Sequence, residues 1–261
     1  MGEVSRYPNG TFCWVDLGTP DVPGAKAFYR ELFGWDAEDL PAGPGGTSTV
    51  CRLQGRDVAA IHEQAGDARA AWGSYLSVDD VDATTARARA LGGTVLAEPV
   101  DVLDAGRKAV LADPSGAAVS LWQPRGRIGA GLVNEVGAWT WNELVSPDVA
   151  GAGAFYADLL GWTVGANPGP FPRTSFTLGE LLVGGGHAPT EPEGDTPHWT
   201  ISFRVADADE STASARRLGG RVLLPPLDVP VGRFAILADP AGAAFTVTAM
   251  SNSPFRGVDG S

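Results

Sequence analysis

The two halves of the chain repeat one sequence pattern. Residues 146–162, SPDVAGAGAFYADLLGW, restate residues 19–35, TPDVPGAKAFYRELFGW, and residues 218–244 restate residues 91–118 with one deletion. This duplication constrains the fold strongly, because both halves must adopt one structure and bury equivalent cores. The Gly-rich segment PRGRIGAGLVNEVG, residues 124–137, has no regular pattern and is the expected connection between the halves.

Strand-like and helix-like segments alternate within each half. In the first half a strand-like segment precedes a helix-like one, further strand-like runs follow, and the same order then begins again. The second helix ends at Gly92-Gly93, as a left-handed C-terminal cap requires. The expected strands are 12–18, 48–54, 57–63, 73–79, 94–98, 107–112 and 117–123, and the expected helices are about 22–33 and 81–91. The sequence therefore predicts an α+β chain of four βαβββ modules.

The repeat also sets the expected domain boundaries. Each domain should consist of two modules, with a short linker between the domains and a C-terminal tail after the second. The expected ranges are 1–125 for the first domain (modules 8–66 and 70–125), 126–136 for the linker, 137–252 for the second domain (modules 137–192 and 197–252) and 253–261 for the tail.

Composition limits the classes of function. The chain has 19 basic and 31 acidic residues, a net charge of −12 and no run of Lys or Arg, so we expect no nucleic-acid partner. No apolar run is long enough to span a bilayer and the first residues lack the apolar core of a signal peptide, so we expect a cytoplasmic protein without a membrane partner. Cys13 and Cys51 are expected as free, buried thiols, with a bridge between them as the less favoured alternative.

Three motifs occur in both halves. They are D-x-x-x-A-x-x-F-Y-x-x-x-F/L-G-W after the first strand, V-x-D-x-D before the second helix, and DPSGAAVSL or DPAGAAFTV before the last strand. In these motifs the chain resembles the vicinal oxygen chelate superfamily, which includes glyoxalase I, extradiol dioxygenases, and fosfomycin and bleomycin resistance proteins, and in particular its two-domain actinobacterial glyoxalase-like branch. The resemblance implies two tandem domains, each a cup-shaped mixed sheet with helices on the outside. It does not by itself imply a reaction.

Strand alternation assigns side chains to the open face of each sheet, independently of the resemblance. Cup one is expected to collect Phe12, Trp14, Asp16, His62, Tyr75, Ser77, Ser120 and Trp122. Cup two is expected to collect Trp139, Trp141, Glu143, His187, Thr200, Ser202, Arg204, Thr246 and Thr248. Concave, mostly aromatic surfaces with a few polar groups are typical of small-molecule sites, whereas a solvent-facing sheet would expose costly indoles. The candidate ligand-binding residues are Trp14, Tyr75, Trp122, Trp139, Trp141 and Arg204.

The resemblance also implies where a metal would bind. Metal-using members carry His or Glu on the first and last strands of the paired modules. The corresponding positions here hold Trp14 and Trp141, Gly73 and Thr200, and Ser120 and Thr246. None of these is His or Glu, so we expect no metal cofactor. The alternative is a weak, unconventional site for a divalent ion such as Mg, Mn, Fe, Ni or Zn, held by one carboxylate and one His.

Each half keeps one carboxylate and one His at equivalent positions, and these are the candidate catalytic residues: Asp16 with His62, and Glu143 with His187. A carboxylate orients a neighbouring imidazole and raises its pKa towards neutrality, which suits proton transfer. The alternative is that both imidazoles lie at the rim of the sheet and bind water. Arg107 and Arg233 are expected as surface residues on outer strands, with recognition of an anionic substrate as the less favoured alternative.

Two classes of function stay open at this point. The first is an enzyme that uses His and a carboxylate for metal-free proton transfer on a small aromatic or carbonyl-containing metabolite, in isomerase, lyase or hydrolase chemistry. The second is a binding protein that sequesters an aromatic drug or metabolite between indoles, as bleomycin resistance proteins do. A metal-dependent glyoxalase or dioxygenase is a weaker alternative. Because the duplication supplies the partner domain that single-domain relatives obtain by dimerising, we expect a monomer, with a homodimer as the alternative.

Overall fold

The computed structural model describes residues 2–42, 46–64, 66, 69–167, 172–230 and 232–250. The first half forms eight strands and two helices. They are β1 (Phe12–Thr19), α1 (Val22–Phe33), β2 (Asp36–Pro41), β3 (Thr47–Leu53), β4 (Arg56–Glu63), β5 (Ala71–Ser77), α2 (Val81–Ala90), β6 (Thr94–Val102), β7 (Gly106–Ala112) and β8 (Ala118–Pro124).

The second half repeats the same ten elements. They are β9 (Trp139–Val145), α3 (Val149–Leu160), β10 (Thr163–Asn167), β11 (Arg173–Leu178), β12 (Leu181–His187), β13 (His198–Arg204), α4 (Ala208–Arg217), β14 (Arg221–Val229), β15 (Gly232–Ala238) and β16 (Ala244–Met250). The expected C-terminal tail, 253–261, lies outside the described residues. Strand β2 was missing from the expected segments, because its sequence DAEDLP is polar and has no strand-like alternation.

Each half forms one eight-stranded mixed sheet. The first has the order β2-β3-β4-β1-β5-β8-β7-β6, and the second has the order β10-β11-β12-β9-β13-β16-β15-β14. The first strands of the two modules pair antiparallel at the centre, and each is parallel to the last strand of its own module. These curled sheets confirm the expected α+β fold of tandem cups. None of the helices in the described part of the chain has the length and apolar character that a bilayer crossing requires.

The repeated Pro-Asp and Gly-Trp motifs define the ends of the first helix in each half. Asp21 caps α1 by accepting a hydrogen bond from the Gly24 amide at 2.9 Å, and Asp148 caps α3 in the same way. Gly34 ends α1 in the left-handed conformation with φ of 75°, which favours glycine. The motifs therefore fix where these helices begin and end.

The two halves share one core through reciprocal contacts. Tyr29 on α1 donates to Asp239 Oδ2 in the second half, and Tyr156 on α3 donates to Asp113 Oδ2 in the first, both at 3.2 Å. The indole of Trp35 donates to the carbonyl of Gly137 at 2.7 Å. The tyrosine of the F-Y motif and the aspartate of the A-D-P motif thus join the halves across a buried interface. Cys13 and Cys51 are buried and free, as expected.

A β-bulge near the start of the first strand changes which face two aromatic residues occupy. The register of β1 against β5 shifts between Phe12 and Trp14, so Phe12 turns away from cup one. Its ring packs 4.9 Å from Trp199 in the shared core, which corrects its expected place in the cup. The same shift occurs in β9, where Trp139 is the Cα partner of Phe203. Directly opposite residues share a face, so Trp139 lies on the side of the shared core and not on the open face.

Candidate functional site

Cup one gathers a buried polar cluster around Asp16. The Tyr75 hydroxyl donates a hydrogen bond to Asp16 Oδ2, and His62 Nδ1 lies 3.5 Å from the same oxygen. Lys108, which the sequence analysis did not single out, donates to the Tyr75 oxygen and lies 3.7 Å from Asp16 Oδ2. Burial, together with the negative charge of Asp16, raises the pKa of Tyr75, so this phenol stays protonated. The structure thus brings the expected pair of Asp16 and His62 together.

A glycine opposite Asp16 gives its carboxylate room. Gly73 is the Cα partner of Asp16, and a Cβ at Gly73 would lie 2.6 Å from Asp16 Oδ1. The equivalent pair in the second half is Glu143 with Thr200, which carries a side chain. The absence of a side chain at Gly73 therefore allows the Asp16 carboxylate to occupy this position. The side chain of His62 is 39% exposed, so it gives solvent or a ligand a route to the cluster.

Aromatic side chains line cup one beside the polar cluster. Trp14 is the Cα partner of Tyr75, so both lie on one face. The Tyr75 and Trp122 rings meet edge to face with centroids 6.5 Å apart. The Trp122 indole donates to the carbonyl of Arg127 at 2.9 Å, which fixes its orientation. A rigid aromatic wall next to ionisable groups suits a flat, partly polar ligand.

Cup two is built around Glu143 but differs in its cation. Arg173 Nε lies 2.9 Å from Glu143 Oε1, and this arginine comes from β11, whereas Lys108 of cup one comes from β7. Burial raises the pKa of Glu143, and the nearby His187 and Arg173 side chains oppose that rise. Glu143 and His187 therefore lie close enough to influence one another, but their side chains make no direct hydrogen bond.

His187 is paired with a different carboxylate. Its Nε2 lies 3.5 Å from Glu193 Oε1, and both side chains are buried. Its Nδ1 lies 2.8 Å from the carbonyl of Ala188. A proton on Nδ1 would donate to this carbonyl, and a proton on Nε2 would face the Glu193 carboxylate. A Cβ at Gly185 would lie 3.1 Å from the Trp141 ring and 3.5 Å from Glu143 Oε1, so the glycines before His187 allow close packing beneath the carboxylate.

Three arginines have structural roles. Arg204 was expected to bind ligand in cup two, but its Nη1 donates to the carbonyl of Asn134 at 2.6 Å. The guanidinium therefore holds the linker, which a strand pattern alone does not reveal. Arg107 bonds Asp82 and Asp101, and Arg233 makes the equivalent pairs with Asp209 and Asp228, so both are surface residues as expected.

The donor set does not fit the metal site of metal-using relatives. The positions at which metal-using relatives carry metal ligands lie where expected. Trp14 is the Cα partner of Tyr75, and Tyr75 is the Cα partner of Ser120 on the neighbouring strand. Within the described ranges, no three His, Cys, Asp or Glu side chains lie close enough together to hold an ion. A catalytic metal normally takes three protein ligands. The residues present therefore do not fit such a metal.

Family models match both halves of the chain. The model described as Glyoxalase/Bleomycin resistance protein/Dioxygenase superfamily matches residues 11–121. The model described as Glyoxalase-like domain matches residues 128–248. The two matched segments coincide with the two sheets.

Similar proteins of nearly the same length carry different names. The Mycobacterium tuberculosis (strain CDC 1551 / Oshkosh) protein named "Putative glyoxylase CFP32" is 43% identical, over 95% of this chain and 97% of its own length. The "Anthracycline biosynthesis protein DauV" of Streptomyces sp. (strain C5) is 35% identical, over 98% and 99% of the two chains. The "Anthracycline biosynthesis protein DnrV" of Streptomyces peucetius is 37% identical, over 94% of each.

Solved structures share the fold at low sequence identity. The Mn(II)-bound glyoxalase from Novosphingobium aromaticivorans has a TM-score of 0.62 and 19% identity, over 97% of this chain and 85% of that one. The 2,3-dioxygenase LapB from Pseudomonas sp. KL28 has a TM-score of 0.63 and 15% identity, over 99% and 97%. At this identity the likeness shows the architecture alone.

Proposed function

Since the chain belongs to the Glyoxalase/Bleomycin resistance protein/Dioxygenase superfamily, whose members bind small molecules, we propose that it is an acid–base enzyme of secondary metabolism. Its ligand is a small aromatic, carbonyl-containing metabolite held against the indoles of cup one. The reaction is a proton transfer of isomerase, lyase or hydrolase type that needs no metal. The observation that carries this proposal is the contact of Asp16 with His62, next to Tyr75 and the ring of Trp122.

The chemistry follows from the charges in the cluster. Asp16 Oδ2 is engaged by Tyr75, whereas Oδ1 lies over Gly73, in the place that a side chain there would fill. A carbon–hydrogen bond next to a ligand carbonyl would break with its proton passing to Asp16 Oδ1. The electron pair would move onto the carbonyl oxygen and form an enolate. His62, at the exposed end of the cluster, would exchange the proton with solvent or return it to another carbon.

The relatives support an aromatic ligand. Two of them are named as anthracycline biosynthesis proteins, and an anthracycline is a fused-ring aromatic ketone. Such a ligand would stack on the indoles of Trp14 and Trp122, while its oxygens reach the Asp16 cluster. Indole stacking contributes about 0.5–1.5 kcal/mol for each aromatic pair beyond the area that it buries.

The second candidate is a binding protein without catalysis. The observation in its favour is cup two, where Arg173 and Glu193 already satisfy Glu143 and His187. A carboxylate and an imidazole that are held by other partners suit a rigid binding wall better than a proton relay. In this alternative the protein sequesters an aromatic metabolite or drug.

Three measurements separate these functions. Tryptophan fluorescence is titrated with a panel of fused-ring aromatic ketones, and quenching is expected with at least one of them. The variants Asp16→Asn and His62→Gln should then bind that ligand about as well as wild type but lose turnover by roughly 100-fold or more. Binding without turnover in wild type would favour the sequestering protein, and turnover unchanged in both variants would show that Asp16 and His62 do not carry the chemistry. Metal analysis of the purified protein completes the test, because about one divalent ion per half, lost together with activity, would overturn the metal-free chemistry.

A further inference from the structure

Lysine is rare in this chain, and one of its lysines lies in cup one. Among the 19 basic residues only Lys26 and Lys108 are lysines. Lys26 bonds Asp39 in an exposed ion pair on α1, as a solubilising residue would. Lys108 instead reaches the polar cluster of cup one. The chain uses arginine almost everywhere else, so the position of Lys108 calls for a compact, mobile ammonium and not a planar guanidinium.

The backbone pairing of Lys108 places its side chain on the face of the sheet that forms cup one. Lys108 is the Cα partner of Trp122, so both side chains lie on the open face. Its Nζ lies 4.5 Å from the centre of the Tyr75 ring and bonds the Tyr75 oxygen. The side chain is 28% exposed, whereas that of Asp16 is 12% exposed. The ammonium is therefore the accessible charge above a buried carboxylate, next to the aromatic wall.

The duplication shows that the fold does not require this lysine. In the second half Phe234 pairs with Thr248, where the first half pairs Lys108 with Trp122. Ser202 occupies the position of Tyr75 in the second half. It is the Cα partner of Thr246, whereas Tyr75 is the Cα partner of Ser120. An equivalent cup thus forms without Lys108, Trp122 or Tyr75. These three residues distinguish cup one chemically, and they lie in mutual contact.

We propose that Lys108 forms an oxyanion-binding subsite of cup one. It takes the oxygen of an aromatic ligand that carries a negative charge, either as an ionised phenol or as the enolate of an aryl ketone. Lys108 supplies the charge, Tyr75 and Asp16 hold its ammonium in place, and the ligand ring lies on Trp122. This inference rests on the proposed function and deepens it, because it names the residue that binds the charged oxygen of the ligand.

A pair of matched probes tests the subsite. The first is 2-hydroxy-1,4-naphthoquinone, a flat acid that is anionic at neutral pH. The second is its neutral O-methyl ether. Tryptophan quenching gives the dissociation constant of each probe. Wild type should bind the anionic probe about tenfold more tightly than the ether, which is the usual strength of one charge-assisted hydrogen bond. Lys108→Met should lose this preference, and the matched surface variant Lys26→Met should keep it.

Each result decides the matter. Equal dissociation constants for the two probes in wild type, or an undiminished preference in Lys108→Met, would overturn the subsite and leave aromatic binding intact. Quenching by neither probe would contradict the proposed function and the subsite together.

A measurement on wild type alone covers the case in which Lys108→Met does not fold. An ammonium at the probe oxygen should lower the hydroxyl pKa of the bound probe, as followed by its visible absorbance, and an unchanged or raised pKa would overturn the proposal. A tetralone that carries no ionised group distinguishes the two sources of the negative oxygen, an ionised phenol and the enolate of a ketone. Its binding should depend on Lys108 only if the bound ketone forms an enolate.

Discussion

The Tyr29 hydroxyl donates a hydrogen bond to Asp239 Oδ2 over 3.2 Å, and so joins α1 of the first half to the turn before β16 of the second. The Trp72 indole in turn donates to the Tyr29 oxygen at 3.0 Å. All three side chains are buried. Tyr156 makes the equivalent hydrogen bond to Asp113. The two halves are therefore joined by two equivalent contacts, and the relative position of the two cups depends on both.

Removing either tyrosine hydroxyl should destabilise the whole chain. Tyr29→Phe leaves the Trp72 donor without its acceptor and removes the Tyr29 hydrogen bond to Asp239 Oδ2, and unsatisfied buried polar groups cost about 1–3 kcal/mol each. Tyr156→Phe should cost a similar amount. The free energy of unfolding is measured by urea titration, with Lys26→Met as the surface control, for which we expect a change below about 1 kcal/mol. A change this small in both tyrosine variants would mean that the contact does not hold the halves together.

The pH dependence of the free energy of unfolding should reflect the raised pKa of Asp239. Burial is the largest cause of its raised pKa, and hydrogen bonds from the Ala243 amide and Tyr29 partly oppose it. A carboxyl whose folded pKa lies above its unfolded value of about 3.9 favours folding below that value, and this contribution is lost as the pH rises through the folded pKa. Relative to wild type, Asp239→Asn should therefore gain stability as the pH rises through this window.

An exposed aspartate gives the opposite sign as a control. The bond with Arg233 lowers the pKa of Asp209. Its contribution is present above the unfolded pKa and is lost as the pH falls through the folded one. Relative to wild type, Asp209→Asn should lose a small amount of stability as the pH rises. Curves of the same sign for the two variants would show that the burial of Asp239 is not the cause of its effect.

A side chain at Gly73 should disturb the proposed base. A Cβ there would lie 2.6 Å from Asp16 Oδ1, so Gly73→Ala must displace the carboxylate from its place beside Tyr75. We expect turnover to fall at least tenfold while the free energy of unfolding changes by less than about 2 kcal/mol. Gly34→Ala is a useful contrast, because it has no neighbour within 4 Å but a positive φ, so it should lower stability and spare turnover. Full activity in Gly73→Ala would argue against Asp16 as the base.

The pKa of Glu143 should respond in opposite directions to its two ionised neighbours. Arg173 lowers this pKa and Glu193 raises it. Arg173→Met should therefore raise the pKa of Glu143 further, and Glu193→Gln should lower it. Carboxyl carbon NMR titration measures both shifts. Shifts of one sign would indicate that the variants rearrange cup two instead of changing its charges.

The sequence predicted the fold well because the repeat could be aligned with itself. Capping residues such as Asp21 and Gly34 act locally, so the helix bounds follow from the motif. The pairing of Asp16 with His62 followed from strand alternation and was also found, whereas Phe12 and Trp139 were assigned to the wrong face. The reason is a single extra residue in β1 and in β9, which reverses the alternation on one side of the bulge and leaves no clear signal in the sequence.

Contacts that depend on the register between distant strands were not predictable. Lys108 reaches Asp16 because β7 pairs with β8 in one register, and Arg173 reaches Glu143 from β11. Glu193 reaches His187 from a turn beyond β12. One comparison within the sequence could have identified Lys108, since the repeat places Phe234 at the same position. Arg204 was misassigned because its partner, the carbonyl of Asn134, belongs to the patternless linker.

Deuterium exchange at the carbon next to a ketone tests the central claim, metal-independent proton transfer by Asp16 and His62, most directly. The protein, dialysed against chelator, is incubated in heavy water with 2-tetralone, and deuterium incorporation is followed by proton NMR. Wild type should exchange this carbon at least roughly 100-fold faster than Asp16→Asn, with a rate that chelator does not change. Equal rates in wild type and Asp16→Asn, or exchange that chelator abolishes and a divalent metal restores, would contradict the account.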